Sequence, residues 1–309
     1  MPDPLTSSGA PPRSWFARFS GTGWGGRAFW SILICVTLFL LICGYGAFVG
    51  ANKQNLHFAF LGGMSGFAAT AMGAVVAIAL RDIAARTQDT MLGFAAGMML
   101  AASSFSLILP GIEAAQALCG NQFLAACVVV AGLGLGVALM VGLDRFVPHE
   151  HEKSGRRGPD AQRINRVWLF VLAITLHNLP EGMAIGVSFA NGDMKVGLPL
   201  TTAIAIQDIP EGLAVALALR VTGISALRAA LIAVGSGLME PIGAVVGLGI
   251  SSSFALGYPI ALGLAAGAMI FVVSHEVIPE THRNGHETPA TLGLMLGFGV
   301  MMFLDTALG

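Results

Sequence analysis

The chain has 309 residues, 55% of them apolar and only 11% charged, with a net charge of −1. Soluble domains carry about a quarter charged residues, so this composition excludes a soluble globular protein. The balanced charge leaves no electrostatic footprint for a nucleic-acid partner.

In chain order, residues 1–29 form a Pro-, Gly- and Ser-rich basic tail, expected to be disordered and cytosolic. Nine apolar stretches follow, near 30–50, 56–80, 91–109, 121–143, 167–190, 196–219, 226–250, 257–279 and 288–308. Each is close to the ~20 residues that cross a bilayer as a helix. The alternating pattern of a β-barrel is absent, which leaves helices to satisfy the backbone. The predicted fold class is therefore all-α, a polytopic membrane helix bundle. The stretch at 30–50 exceeds the 7–15 apolar residues of a secretory signal core and is read as an extra retained N-terminal helix. The remaining eight spans, within 56–309, form the core.

With the N-terminus inside, fourteen Lys and Arg residues fall on inner connections and only Lys53 and Lys195 on outer ones, a clear positive-inside bias. The one long polar connection, 144–166, is then cytosolic. All others are short, so consecutive spans are expected to be antiparallel neighbours. Cys35, Cys43, Cys119 and Cys127 have no C-x-x-C spacing and lie in or beside apolar segments, where free Cys acts as a small hydrophobe. Gly62/Gly66, Gly93/Gly97, Gly132/Gly136, Gly182/Gly186, Gly243/Gly247, Gly263/Gly267 and Gly293/Gly297 are G-x-x-x-G pairs, the pattern of closely packed membrane helices.

Two spans carry an echo: His177-Asn178-Leu179-Pro180-Glu181-Gly182 and Gln207-Asp208-Ile209-Pro210-Glu211-Gly212. Ionisable groups in hydrocarbon are costly and default to function. His177, Asn178 and Glu181 share one helix face by their spacing, as do Gln207, Asp208 and Glu211. Pro180 and Pro210 crowd the carbonyls of Leu176 and Ile206, so a kink is expected at each. One imidazole among several carboxylate and amide oxygens suits a borderline divalent cation such as Zn²⁺. The acids are numerous enough to bridge two ions, with Glu181 and Glu211 as bridges. Glu240-Pro241 repeats the acid-Pro theme in a third span.

Weaker signals lie toward the membrane surfaces. His275, Glu276, His282, His286 and Glu287 cluster at the inner end of one span, on the same side as Asp144, His149 and His151. Of these, Asp144, His149, His151, His275, Glu276 and His286 form a candidate cytosolic exit relay for metal. Glu113 and Asp305, toward the outside, would attract cations. No G-x-x-x-x-G-K-[ST] loop is present for ATP, and no H-E-x-x-H for a metalloprotease. The expectation is a non-enzyme.

The paired motif resembles the fourth and fifth core helices of ZIP (Zrt/Irt-like) metal transporters, here of bacterial type, and the resemblance extends over the eight core spans. It implies eight helices in an inverted 3+2+3 arrangement and a dinuclear transport site. One subsite would use Met99, His177, Glu181, Gln207 and Glu211. The other would use Asn178, Asp208 and Glu240 while sharing Glu181, Gln207 and Glu211. The resemblance further implies passage of Zn²⁺ (or Cd²⁺) as substrate into the cytosol, a bacterial inner-membrane location, homodimerisation and an elevator-like motion. Many relatives carry His where this chain has Gln207, so the first subsite is richer in oxygen and Cd²⁺, Fe²⁺ or Mn²⁺ join Zn²⁺ as expected substrates.

Overall fold

The computed structural model describes residues 53–80, 83–146, 149–151, 155–157, 166–221 and 223–308. The basic tail and the stretch at 30–50 lie outside the described residues. Helix α1 spans Lys53–Ala79. The second core span is built of α2 (Ala85–Ala101), a π-helical segment π1 (Ala102–Ile108) and α3 (Leu109–Cys119). Next come α4 (Gln122–Phe146), α5 (Arg166–Ser188) and α6 (Met194–Val221). The sixth core span is α7 (Ala226–Gly237) and α8 (Met239–Ser252), and the seventh is α9 (Gly257–Val272), π2 (Val273–Val277) and α10 (Ile278–Thr281). Helix α11 (Glu287–Leu308) closes the chain. Seven of these described spans are long and apolar enough to cross a membrane, and α5 adds a helix of 23 residues. The protein is a polytopic helix bundle.

The structure refines several boundaries. The second span runs to Cys119, ten residues beyond the predicted 109. Pro110, which lacks an N–H, falls in the first turn of α3 directly after π1, where that N–H is not needed. Pro279 takes the same place after π2. Helices α5 and α6 run through Pro180 and Pro210 without a break in the helix. Adjacent Gly182 and Gly212 press these turns against the backbones of α8 and α1, which supports them across the missing hydrogen bond. The sixth span breaks at Leu238, two residues before Glu240. Within the 144–166 connection, β1 (His149–His151) and β2 (Gly155–Arg157) pair antiparallel, His149 opposite Arg157 and His151 opposite Gly155. Among the described residues these are the only strands.

Glycine fixes which helices touch. A Cβ at Gly93 or Gly97 would run into the backbone of α11, and one at Gly293 or Gly297 into that of α2. Gly132 and Gly136 face Gly263 and Gly267 in the same reciprocal way, as do Gly182 and Gly186 with Gly243 and Gly247. Gly73 and Gly212 join α1 to α6. The strongest contacts accordingly link the first core span to the fifth, the fourth to the sixth, the second to the eighth and the third to the seventh. Exchanging spans one to three with six to eight, and four with five, maps this list onto itself, in keeping with an inverted repeat. Large apolar side chains on α4 and α11, such as Phe123, Val130, Leu292, Leu296 and Phe303, point outward, as lipid-facing residues do.

Candidate metal centre

Asn178, Glu181, Gln207, Asp208 and Glu240 are each no more than 2% exposed, and Glu211 is half-buried. They lie on α5, α6 and α8. The Gly182–Gly243 contact lays α8 directly on α5, which brings Glu240 into the neighbourhood of the two motifs. Carboxylate oxygens of Glu181, Asp208 and Glu211 lie within 4.8 Å of one another. Among the described residues this is the only such group of three acids, histidines or cysteines close enough to share an ion.

Hydrogen bonds orient the site. Gln207 Nε2 donates to Glu181 Oε1 at 2.6 Å, and Thr70 Oγ1 donates to Glu240 Oε1 at 2.8 Å. Four buried oxygens then receive no hydrogen bond from a donor of the protein: Asn178 Oδ1, Gln207 Oε1, and Asp208 Oδ2 and Glu240 Oε2, whose carboxyls lie against each other. Buried acceptors are normally satisfied, and each exception asks for an explanation. A cluster of carboxylate and amide oxygens in a protein interior can receive a cation, because a positive charge offsets both their desolvation and their mutual repulsion.

The other sequence-predicted residues are distributed as follows. His177 stands on α5 four residues before Glu181, its side chain outside the described set. Met99 is buried near the end of α2, in the same apolar cluster as Ala203 and Ile204 of α6, one turn before Gln207. Of the relay, His275 and Glu276 sit half-buried in π2. His286 lies elsewhere, its Nδ1 2.7 Å from Asp89 Oδ2, and Asn284 Nδ2 donates to both Asp89 oxygens at 3.0 and 3.3 Å. The side chains of Asp144, His149 and His151 lie outside the described residues. Ser106 Oγ donates to Asp305 Oδ1 at 2.6 Å, while Glu113 is exposed. Sequence reasoning missed Thr70, Asp89 and Ser106. A buried acid at the edge of an apolar stretch flags Asp89, but a lone Thr or Ser in a membrane helix carries no such signal.

The chain is also similar to known proteins along most of its length. The family model described as ZIP zinc transporter matches residues 147–305. The zinc transporter ZIPB of Bordetella bronchiseptica is 70% identical over 271 residues, 87% of this chain and 88% of that protein. The zinc transporter GufA of Myxococcus xanthus is 44% identical over 78% of this chain and 95% of its own length. The human zinc transporter ZIP11 is 32% identical over 84% and 99%. On a family match over half its length and relatives this similar along most of it, the chain belongs to the ZIP zinc transporter family.

Proposed function

We propose that the chain carries Zn²⁺ across the bacterial cytoplasmic membrane into the cytosol, without ATP hydrolysis, through a two-ion site midway along α5 and α6. The observation that carries this reading is the set of four unpartnered buried oxygens beside the Glu181–Asp208–Glu211 cluster. An unsatisfied buried acceptor costs about 1–3 kcal/mol, and a divalent cation satisfies all four at once. Glu181, Glu211, Gln207 and His177, with Met99, hold the first ion. Asn178, Asp208 and Glu240 hold the second and share the two bridging glutamates and Gln207 with the first. The names of the relatives support zinc as the cargo and transport rather than catalysis. The oxygen of Gln207 in place of an imidazole admits Cd²⁺, Fe²⁺ and Mn²⁺ as further cargo.

The excess of Lys and Arg on inner connections supports a cytosolic N-terminus. On that orientation π2, His286 and the hairpin lie on the cytosolic side, where His275, Glu276, His286, Asp144, His149 and His151 pass the ion on. Homodimerisation belongs to the same reading and rests on the family resemblance. The test is Zn²⁺ uptake into proteoliposomes by the wild type and by Glu181→Ala and Glu211→Ala. Both variants are expected to lose nearly all flux while remaining folded. Near-normal flux in either would refute the bridging roles.

A further inference from the structure

We infer that Gly66 and Thr70 of α1 form a wall of the second subsite, where they hold Glu240 to one-oxygen coordination and so favour a small ion over a larger one. The role rests on the second subsite proposed above. Helix α1 carries no acid, and sequence reading gave it no part beyond packing through Gly62 and Gly66.

The two residues are one turn apart on a common helix face. Thr70 is buried, and its hydroxyl does something unusual for this protein. Thr90, Ser103, Ser104, Ser188, Ser236 and Thr306 all donate to a carbonyl three or four residues back in their own helix, the default for such side chains. Thr70 instead donates to Glu240 Oε1, 170 positions away. Its rotamer is held from outside. The Thr70 carbonyl lies against Gly212 of α6, and a Cβ at Gly237 would stand 3.2 Å from the Thr70 Cβ and methyl.

With Oε1 accepting from Thr70, Oε2 is the Glu240 oxygen left unpartnered, and chelation through both oxygens would have to use Oε1 beside that hydrogen bond. Oε2 lies directly over Gly66, where any Cβ would fall onto it, and the same Cβ would stand 3.1 Å from unpartnered Asp208 Oδ2. The missing side chain of Gly66 thus leaves room for two of the second subsite's unpartnered oxygens, those of Glu240 and Asp208. Larger cations take more oxygens and accept bidentate carboxylates, whereas smaller ones demand fewer ligands in tighter geometry. A Glu240 restricted to one oxygen therefore discriminates by size. Zn²⁺ and Cd²⁺ are both closed-shell d¹⁰ ions, which makes their ratio a direct readout.

The experiment is equilibrium dialysis of the purified full-length protein with Zn²⁺ and Cd²⁺, counting ions per chain and their competition. Thr70→Val and the smaller Thr70→Ala remove the hydroxyl, either sufficing if the other fails to fold. Thr70→Ser restores the hydroxyl, and Gly66→Ala fills the space. Expected are two ions in the wild type and in the Thr70 variants. The Cd²⁺/Zn²⁺ preference should rise about tenfold in Thr70→Val or Thr70→Ala, the scale of one charge-assisted hydrogen bond, and return in Thr70→Ser. Gly66→Ala should retain one ion only, the retained ion reporting that the protein is folded. An unchanged ratio without the hydroxyl, a Thr70→Ser that behaves like Thr70→Val, or two ions of normal affinity in Gly66→Ala overturns the role of α1 and leaves the subsite standing. A wild-type count of one, or an unaltered count in Asp208→Ala, overturns the second subsite itself.

Discussion

Gln207 gives its amide N–H to Glu181 and keeps its carbonyl oxygen, the atom through which an amide binds metal, unpartnered in the interior. Gln207→His would replace that oxygen with imidazole nitrogen, which suits Zn²⁺ better than Mn²⁺. Competition uptake with both metals should show a higher Zn²⁺/Mn²⁺ ratio, and an unchanged ratio would mean that position 207 points away from the ion. The acids around it are not equivalent. In the proposed site Asp208 and Glu240 serve one subsite, whereas Glu181 and Glu211 serve both. Asp208→Ala and Glu240→Ala should therefore leave partial uptake, and equal inactivation of all four single variants would contradict the shared-carboxylate arrangement. Metal ligands must be deprotonated, so protons compete with the ion. Affinity should fall as pH is lowered through the range in which histidine charges, from about 8 to about 5. Binding measured across that range would remove His177 from the ligand set if it stayed flat.

At the level of helices, glycine position decides between close approach and free surface. In α11, a side chain at Gly297 would run into the carbonyl of Phe94, while Gly299 has nothing within 4 Å of its missing Cβ. Alanine is favoured over glycine inside a helix by about 1 kcal/mol. Gly299→Ala should thus be neutral or slightly stabilising in thermal unfolding. Gly297→Ala forces two backbones apart and should destabilise by about 1–3 kcal/mol, the usual cost of overpacking. Equal melting temperatures would show that the α2–α11 seam is not tightly packed. The π-helical segments are the other notable elements. They stand at equivalent places in the second and seventh core spans, each followed by a proline. An extra residue per turn re-aims side chains, and such segments recur at functional sites. Here π1 presents Ser106 to Asp305, and π2 carries His275 and Glu276.

Over the whole molecule, the glycine seams fall within two sets of spans. The first, fourth, fifth and sixth core spans pack together and carry every acid of the proposed site, while the second, third, seventh and eighth form the other set. This is the division that an elevator-like motion needs. Polar ties mark the two ends of α1: Asn55 Nδ2 donates to the Ala190 carbonyl at 2.7 Å, and Arg220 Nη1 donates to the carbonyls of Ala77 and Leu80. On the positive-inside orientation the first tie is external and the second cytosolic. In a variant whose native cysteines are replaced, a single cysteine at Asn191 should react with a membrane-impermeant thiol reagent applied outside intact cells. One at Gly223 should react only after permeabilisation. The opposite pattern would invert the orientation and with it the direction assigned to transport.

The apolar spans, the bilayer and the paired motif were all legible in the residue order, because span length, charge scarcity and i, i+3, i+4 spacing are local properties. The G-x-x-x-G pairs were legible as packing faces too, but their partners were not, since reciprocity between Gly93/Gly97 and Gly293/Gly297 joins positions two hundred residues apart. The run of the second span past Pro110 to Cys119 depends on the π turn before it, which no local pattern announces. Thr70 is the clearest case. A threonine in an apolar helix usually bonds its own backbone, and only the folding of α8 against α1 turns it toward Glu240. What the sequence determined alone was the inventory of ligands and their spacing along each helix. Which oxygens remain unpartnered, and which wall confines them, was decided by the tertiary packing, because a hydrogen bond between distant helices exists only once they have met.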